Sequence, residues 1–314
     1  MRVCYHVQTH HDPDQVTRLV RTLLSESPES IVHISHDRRG QPLDESTLVT
    51  LGDVIVTYTD GGYGDFSHVD RHLQAIAWLL ENDVAADWMV NLTGQDYPVR
   101  PIAAIERELY ESGADAFMEV HPGFGAGARW TPARVRSRYY FHHKRLRPLT
   151  PAWRDRLHRL QVVNFVQPAF RVHVAYGLTV GVRTRTPFSA EFPVWCGSAF
   201  MSLRRPVLEY VYDFARSRND VMDHFRRTLS PVEAAFPTII ANAGHFRIVD
   251  DPRRYFDFRN STFNHPKTLD RTDLPEIFAT DAHFARKFDA TADPGLFDVI
   301  DAHRAELAGR EVMA

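Results

Sequence analysis

The chain has 314 residues, with 44% hydrophobic and 25% charged positions, an ordinary balance for a soluble globular protein. A net charge of −3 sets up no global field toward nucleic acid or membrane. The two cysteines, Cys4 and Cys196, are too few for a disulfide framework and predict a reduced compartment. No cationic stretch followed by an apolar one opens the sequence, and no apolar run nears the roughly 20 residues of a bilayer span. The expectation is a cytoplasmic protein with no transmembrane segment and no nucleic-acid partner.

The first third alternates between two periods. "RVCYHVQ" puts Val3, Tyr5 and Val7 on one face of a strand, and "DQVTRLVRTLLSES" places Val16, Leu19, Val20, Leu23 and Leu24 at helical spacing. "SIVHIS" and "GDVIVTYTD" predict two more strands. "HVDRHLQAIAWLLEN" predicts a helix with Val69, Leu73, Ile76 and Leu80 on one side, and "ADWMVNLTG" a fourth strand. This order predicts an α/β domain with a mostly parallel sheet, whose ligands bind at the carboxyl ends of the strands. "QTHHDPD", "SHDRRG", "TDGGYGDFS" and "TGQDYP" would then share one rim.

Residues 129–171 are rich in Arg and His, with Asp155 as the sole acid. Proline punctuates the stretch, which reads as a basic ordered insertion or long loop region with a helix near Trp153 to Leu160, inside a single domain spanning 1–314. "VWCGSAFMSLRRPVLEYVYDFARSR" returns to strand and then helix. In "SPVEAAFPTIIAN", Ser230, Pro231 and Glu233 stand where a capping box would open a helix. A Pro- and Asp-rich C-terminal third follows.

Two clusters could hold a metal: His10, His11, Asp12 and Asp14, and His33, His36 and Asp37. A His/Asp metallohydrolase is therefore one reading, although no HExxH and no paired CxxC accompanies them, and acids before a helix commonly cap it. "GGYGDFS" is Gly-rich but lacks a phosphate-loop lysine, so it reads equally as a turn. The basic stretch is either a polyanion surface or a solvated charged face.

At "NLTGQDYPVRP" the sequence resembles the core-2/I-branching β-1,6-N-acetylglucosaminyltransferases and the related peptide O-xylosyltransferases. "YHVQTHHDPDQVTRLVRTL", "IVHISHD", "YGDFSHV", "GSAFMSLRRPVLEYV", "SPVEAAFPTIIAN", "HPKTL" and "HFARKFD" are similar to further segments of that family, in the family's order. The resemblance implies a GT-A type, nucleotide-sugar-binding α/β fold with a mostly parallel central sheet flanked by helices. It implies inverting transfer of a sugar, GlcNAc or xylose, from a UDP-sugar to an acceptor hydroxyl, with no cofactor and no divalent metal. A bacterial-type member would take a glycan, lipid-linked or small natural-product acceptor. The alternative from another class is a non-catalytic sugar-nucleotide or polyanion-binding protein of the same fold.

By that resemblance Glu233 is the general base, in a helix first turn that would favour its ionised form. Lys287 and Arg254 would stabilise the departing diphosphate in place of a metal, with Arg253 and Arg247 as competitors for the second position. Val7, Gln8 and Thr9 match a strand end that faces the nucleotide. Ser35 or Asp37 matches an acid after the second strand, Ser67 a serine near the diphosphate, and Asp96 the single carboxylate after the fourth strand. Glu119 and Arg129 are similar to a pair that reads the acceptor, and Trp195 could stack on a sugar face.

Overall fold

Strand-forming runs buried on both sides build the centre of the molecule. The computed structural model describes residues 2–62, 64–259, 266–293 and 295–312; Tyr63 and His265 of the motifs quoted above lie outside the described residues. Its strands in chain order are β1 (Val3–Thr9), β2 (Ile31–Asp37), β3 (Val54–Thr59), β4 (Trp88–Thr93), β5 (Tyr97–Pro98), β6 (Ala116–Pro122), β7 (Phe141–Arg147), β8 (Phe170–His173), β9 (Leu178–Arg183), β10 (Trp195–Arg204), β11 (Ile248–Val249), β12 (Arg254–Phe256) and β13 (Phe284–Arg286). A seven-stranded sheet runs in the order β11-β6-β10-β4-β1-β2-β3. Only β10 is antiparallel to its neighbours; β1, β2, β3 and β4 are parallel. The mixed α/β fold with a mostly parallel, helix-flanked sheet is as the sequence predicts.

Every residue of β1 is buried, as expected of a parallel strand covered on both faces. Val3, Tyr5 and Val7 pack with the helix Pro13–Glu26 through Val16, Leu19, Val20 and Leu23. Cys4 belongs to the opposite layer, with the helices Ser67–Glu81, Arg205–Ser217 and Ala235–Ala243. Each fully buried Val, Leu or Phe in these layers contributes roughly 1.5–3 kcal/mol relative to exposure.

The helix Ser67–Glu81 turns a different face inward than its aliphatic spacing predicts. Arg71, His72, Ala75, Ile76 and Leu79 are buried with Val69, whereas Leu73 and Leu80 are only partly covered. The reason is polar: Arg71 and His72 hydrogen-bond to the ends of the sheet strands, so they rotate inward. A helix at Leu296–Val312, unread in the sequence, closes the first layer through Leu296, Phe297 and Ile300. Its Arg304 is buried and paired with Glu26 and Asp301.

The basic stretch is not loop. Thr131 caps the helix Pro132–Tyr139 by accepting from the Arg134 amide. A helix at Pro151–Leu157 and a 3₁₀ turn at His158–Val162 cover the predicted helix. β7, β9 and β8 form a separate antiparallel sheet in that order.

Candidate functional site

The parallel strands end on one rim, and a cleft of about 1000 Å³ opens there. Gln8 and Thr9 from the end of β1, Asp37 from β2 and Thr93 from β4 line it. The first two turns of the helix Ser67–Glu81 contribute His68, Arg71 and His72. His68 and Gln8 brace each other, with Nδ1 2.8 Å from Oε1 and the Gln8 amide donating to the His68 carbonyl at 3.2 Å. Arg71 donates to Ser35 Oγ at 2.9 Å and to the carbonyls of Thr9 and Ser35. It ties the ends of β1 and β2 together, and burial lowers its pKa to about 10. Asp37 is bonded by Arg39 through its amide and guanidinium. Burial acts to raise the Asp37 pKa, but these bonds hold it down at about 2.

The opposite wall is cationic and aromatic. Arg286 and Lys287 leave β13 and line the cleft with Phe200, Phe256 and Phe258. Arg286 lies 3.1 Å from Asp96, donates to Thr93 Oγ1 at 3.4 Å and covers the Phe200 ring. Burial lowers the Lys287 pKa, and Arg286 adds to the effect.

A third wall comes from the basic stretch and the Ser230 segment. Ser230 sits in the left-handed region with φ 50° and makes no side-chain cap; its amide donates to the Gly64 carbonyl. Pro231–Glu233 is a 3₁₀ turn, and the α-helix begins only at Ala235. The predicted capping box is therefore not formed. Its acid is turned away from the Ser230 amide because Arg138 pairs with Glu233 Oε2, and Arg134 stands 3.7 Å from the same oxygen. The Trp130 ring lies under both guanidinium groups, at 3.8 Å from Arg134 and 5.1 Å from Arg138. Burial works against the charge on Arg138, but Glu233 raises its pKa. Gly64, with φ 69°, lies so close to the Tyr176 ring that a side chain there has no room.

Of the residues singled out in the sequence, Gln8, Thr9, His10, His11, Asp37, Glu119, Glu233 and Lys287 line this one cleft. Val7 faces the core instead. Ser35 lies beneath Arg71, and Ser67 accepts from the Gly62 amide while donating to Asp65. Asp96 is fully buried, accepting from the Thr93 amide and pairing with Arg286. Arg254 lies behind the cleft, donating to the Asn91 carbonyl at 2.7 Å over the Phe284 ring; burial lowers its pKa to about 10. Arg253 pairs with Glu108 and Asp251. Arg129 bridges Glu119 at 3.5 Å and Asp250 at the cleft edge. The Trp195 backbone bonds to Thr238, outside the cleft lining.

Arg71, Arg138 and Arg286 were not singled out. Arg286 adjoins Lys287 in "FARKFD", so the signal was present; Arg138 becomes visible only when the basic stretch folds over Glu233. Among the described residues, no group of three His, Cys, Asp or Glu side chains stands where it could hold a metal ion. His33 of the suggested clusters faces His6, and His36 faces Thr9.

An α/β sheet with a polar cleft at its carboxyl rim defines the class of site. The particular family follows from comparison: residues 5–280 match the Core-2/I-Branching enzyme family, and the chain belongs to it. It is similar to the β-glucuronosyltransferase GlcAT14B of Arabidopsis thaliana, 31% identical over 306 residues, covering 93% of this chain and 63% of that protein. It is also similar to the β-glucuronosyltransferase GlcAT14A of the same plant, 26% identical over 239 residues, covering 74% of this chain and 46% of that one. The chain thus spans less than two thirds of the length of either relative. The crystal structure of S. aureus TarS shares 11% identity at a TM-score of 0.29, covering 45% of this chain and 25% of that one, a likeness too slight to argue from. No helix among the described residues is long and apolar enough to cross a membrane.

Proposed function

We propose that the protein is a glycosyltransferase that moves a sugar from a UDP-sugar onto an acceptor hydroxyl, with inversion and without a divalent metal. The observation that carries this reading is that Glu233 and the Arg286–Lys287 pair line the same rim cleft. Inverting transfer needs a carboxylate to take the hydroxyl proton as the oxygen attacks, and a cationic wall to receive the charge of the departing diphosphate. Both arginine contacts on Glu233 fall on Oε2, which leaves Oε1 to the acceptor. Lys287 and Arg286 take the diphosphate, with Asp96 and Thr93 holding Arg286 in place. Glu119, held by Arg129, stands on the same cleft and takes the acceptor sugar's hydroxyls.

For the donor, UDP-glucuronic acid joins UDP-GlcNAc and UDP-xylose as a candidate. Both relatives are named β-glucuronosyltransferases, and Arg39, Arg71 and Arg145 line the cleft besides Arg286 and Lys287, so a sugar carboxylate would find a cation. The acceptor is a glycan, lipid-linked sugar or small natural product. The test is a thermal-shift panel of UDP and the three UDP-sugars with EDTA present. Stabilisation by UDP, exceeded by one UDP-sugar, is expected; no shift with any of them contradicts the reading.

A further inference from the structure

Five of the eight large apolar side chains exposed among the described residues fall in one stretch, 144–185: Leu146, Trp153, Val162, Phe170 and Val182. The same stretch carries nine Lys and Arg against a single carboxylate, Asp155, in a chain whose net charge is −3. The remainder of the molecule is therefore acidic, and this corner is strongly basic.

Leu146, Phe170 and Val182 lie on the small sheet, and Trp153 and Val162 on the helix and 3₁₀ turn between its strands β7 and β8. Val182 of β9 stands opposite Phe170 of β8 and His142 of β7, and residues opposite one another across strands share a face. Lys144, two positions along from His142, lies on that face as well. The Trp153 ring, on the adjoining helix Pro151–Leu157, has the guanidinium groups of Arg147 and Arg156 at 5.8 and 5.5 Å. A half-exposed indole between two guanidinium groups, near an exposed Phe170–Val182 pair that shares its face with Lys144, suits a boundary that is apolar on one side and anionic at its surface. A soluble polyanion would answer the charge but leave the apolar groups in water.

We propose that the 144–185 face docks on a lipid bilayer that contains anionic lipid. Leu146, Trp153 and Phe170 enter the headgroup region, and Lys144, Arg147 and Arg156 meet lipid phosphates. The same stretch supplies Arg145 and Tyr176 to the cleft lining, so docking brings the cleft mouth to the membrane surface. Docking of this face requires neither donor nor turnover.

Co-sedimentation of the whole protein with vesicles tests it, using phosphatidylcholine alone and phosphatidylcholine mixed with phosphatidylglycerol. The expected result is binding to the mixed vesicles about tenfold or more tighter than to the neutral ones, weakened by salt. The variant W153S/F170S should lose about tenfold in vesicle affinity with an unchanged melting temperature. If that variant melts lower, R147E/R156E, at two exposed positions, provides the same reading through charge. Absence of binding to the mixed vesicles overturns the proposal. So does vesicle affinity unaffected by both variants. Retention on heparin without vesicle binding would mark a soluble-polyanion surface instead, and a dimer that W153S/F170S converts to monomer would mark self-association.

Discussion

Arg138, with its side chain only 10% exposed, pairs with the Glu233 carboxylate at the wall of the rim cleft. A guanidinium buried this deeply would be costly alone, and Glu233 is its charge partner. The pair fixes where the carboxylate sits without a capping box to do so. Removing Arg138 takes away the closer of the two cations on Glu233 and leaves Arg134 at 3.7 Å; breaking a buried pair costs about 3–5 kcal/mol. Glu233 keeps some access to water, so R138M should fall at the lower end, about 3 kcal/mol. Urea unfolding of R138M against the parent checks this; a loss under 1 kcal/mol would show that the pair does little for stability.

Glu233→Gln separates binding from chemistry. The amide keeps the size and one acceptor oxygen but cannot take a proton. Affinity for UDP should stay within about twofold, while transfer falls about 10²–10⁴-fold, the ordinary contribution of a general base. Calorimetry with UDP and a coupled assay of UDP release measure the two quantities on one preparation.

Two arginines compete for the place beside Lys287, Arg254 by sequence resemblance and Arg286 by position. Arg286 lines the cleft, whereas Arg254 is bonded to the Asn91 carbonyl behind it. Lys287→Ala and Arg286→Met should each weaken UDP about tenfold or more, the size of a lost charge-assisted hydrogen bond. Arg254→Met should lower the melting temperature with little change in UDP affinity. The reverse pattern, measured by calorimetry and thermal unfolding, would return the diphosphate role to Arg254.

The buried histidines set an acid limit. Burial lowers His33 and His68 to about 4 and His72 to about 3, against an unfolded value near 6.5. Between these values the unfolded chain binds more protons than the folded one, so stability rises with pH. The contribution is complete above about pH 6.5 and is lost as pH falls toward 4 and then 3, at about 1.4 kcal/mol per unit of displaced pKa for each group. The melting temperature should be flat from pH 8 to 7 and drop steadily between pH 6 and 4. His72→Gln, which retains a polar partner for Asn91, should flatten that drop.

The alternation of strand and helix across the first third was legible because parallel strands and their helices carry their own periods. The helix Leu296–Val312 was not, because Arg304 occupies an inward position where an aliphatic would have marked the face. The inward face of Ser67–Glu81 departs from its aliphatic spacing for the same reason: Arg71 and His72 turn inward to serve the strand ends. At the site, Gln8 and Asp37 could be placed on one rim from the order of the strands, whereas Glu233 and Lys287 were legible only through the resemblance of their segments to a known family. The local reading of Ser230 as a cap failed because tertiary partners, the Gly64 carbonyl for its amide and Arg138 for Glu233, override the local hydrogen bonds. Arg138 itself comes from a stretch with no persistent period, whose small sheet depends on β7–β9 pairings 31 to 42 residues apart in sequence.

The most direct measurement is UDP release from the best-stabilising UDP-sugar, with EDTA present, in the parent and in Glu233→Gln. Turnover in the parent is expected to be undiminished by EDTA, with at least about a hundredfold loss in the variant and UDP affinity kept. Turnover that EDTA abolishes and a divalent metal restores, or equal turnover in parent and variant, would contradict this expectation.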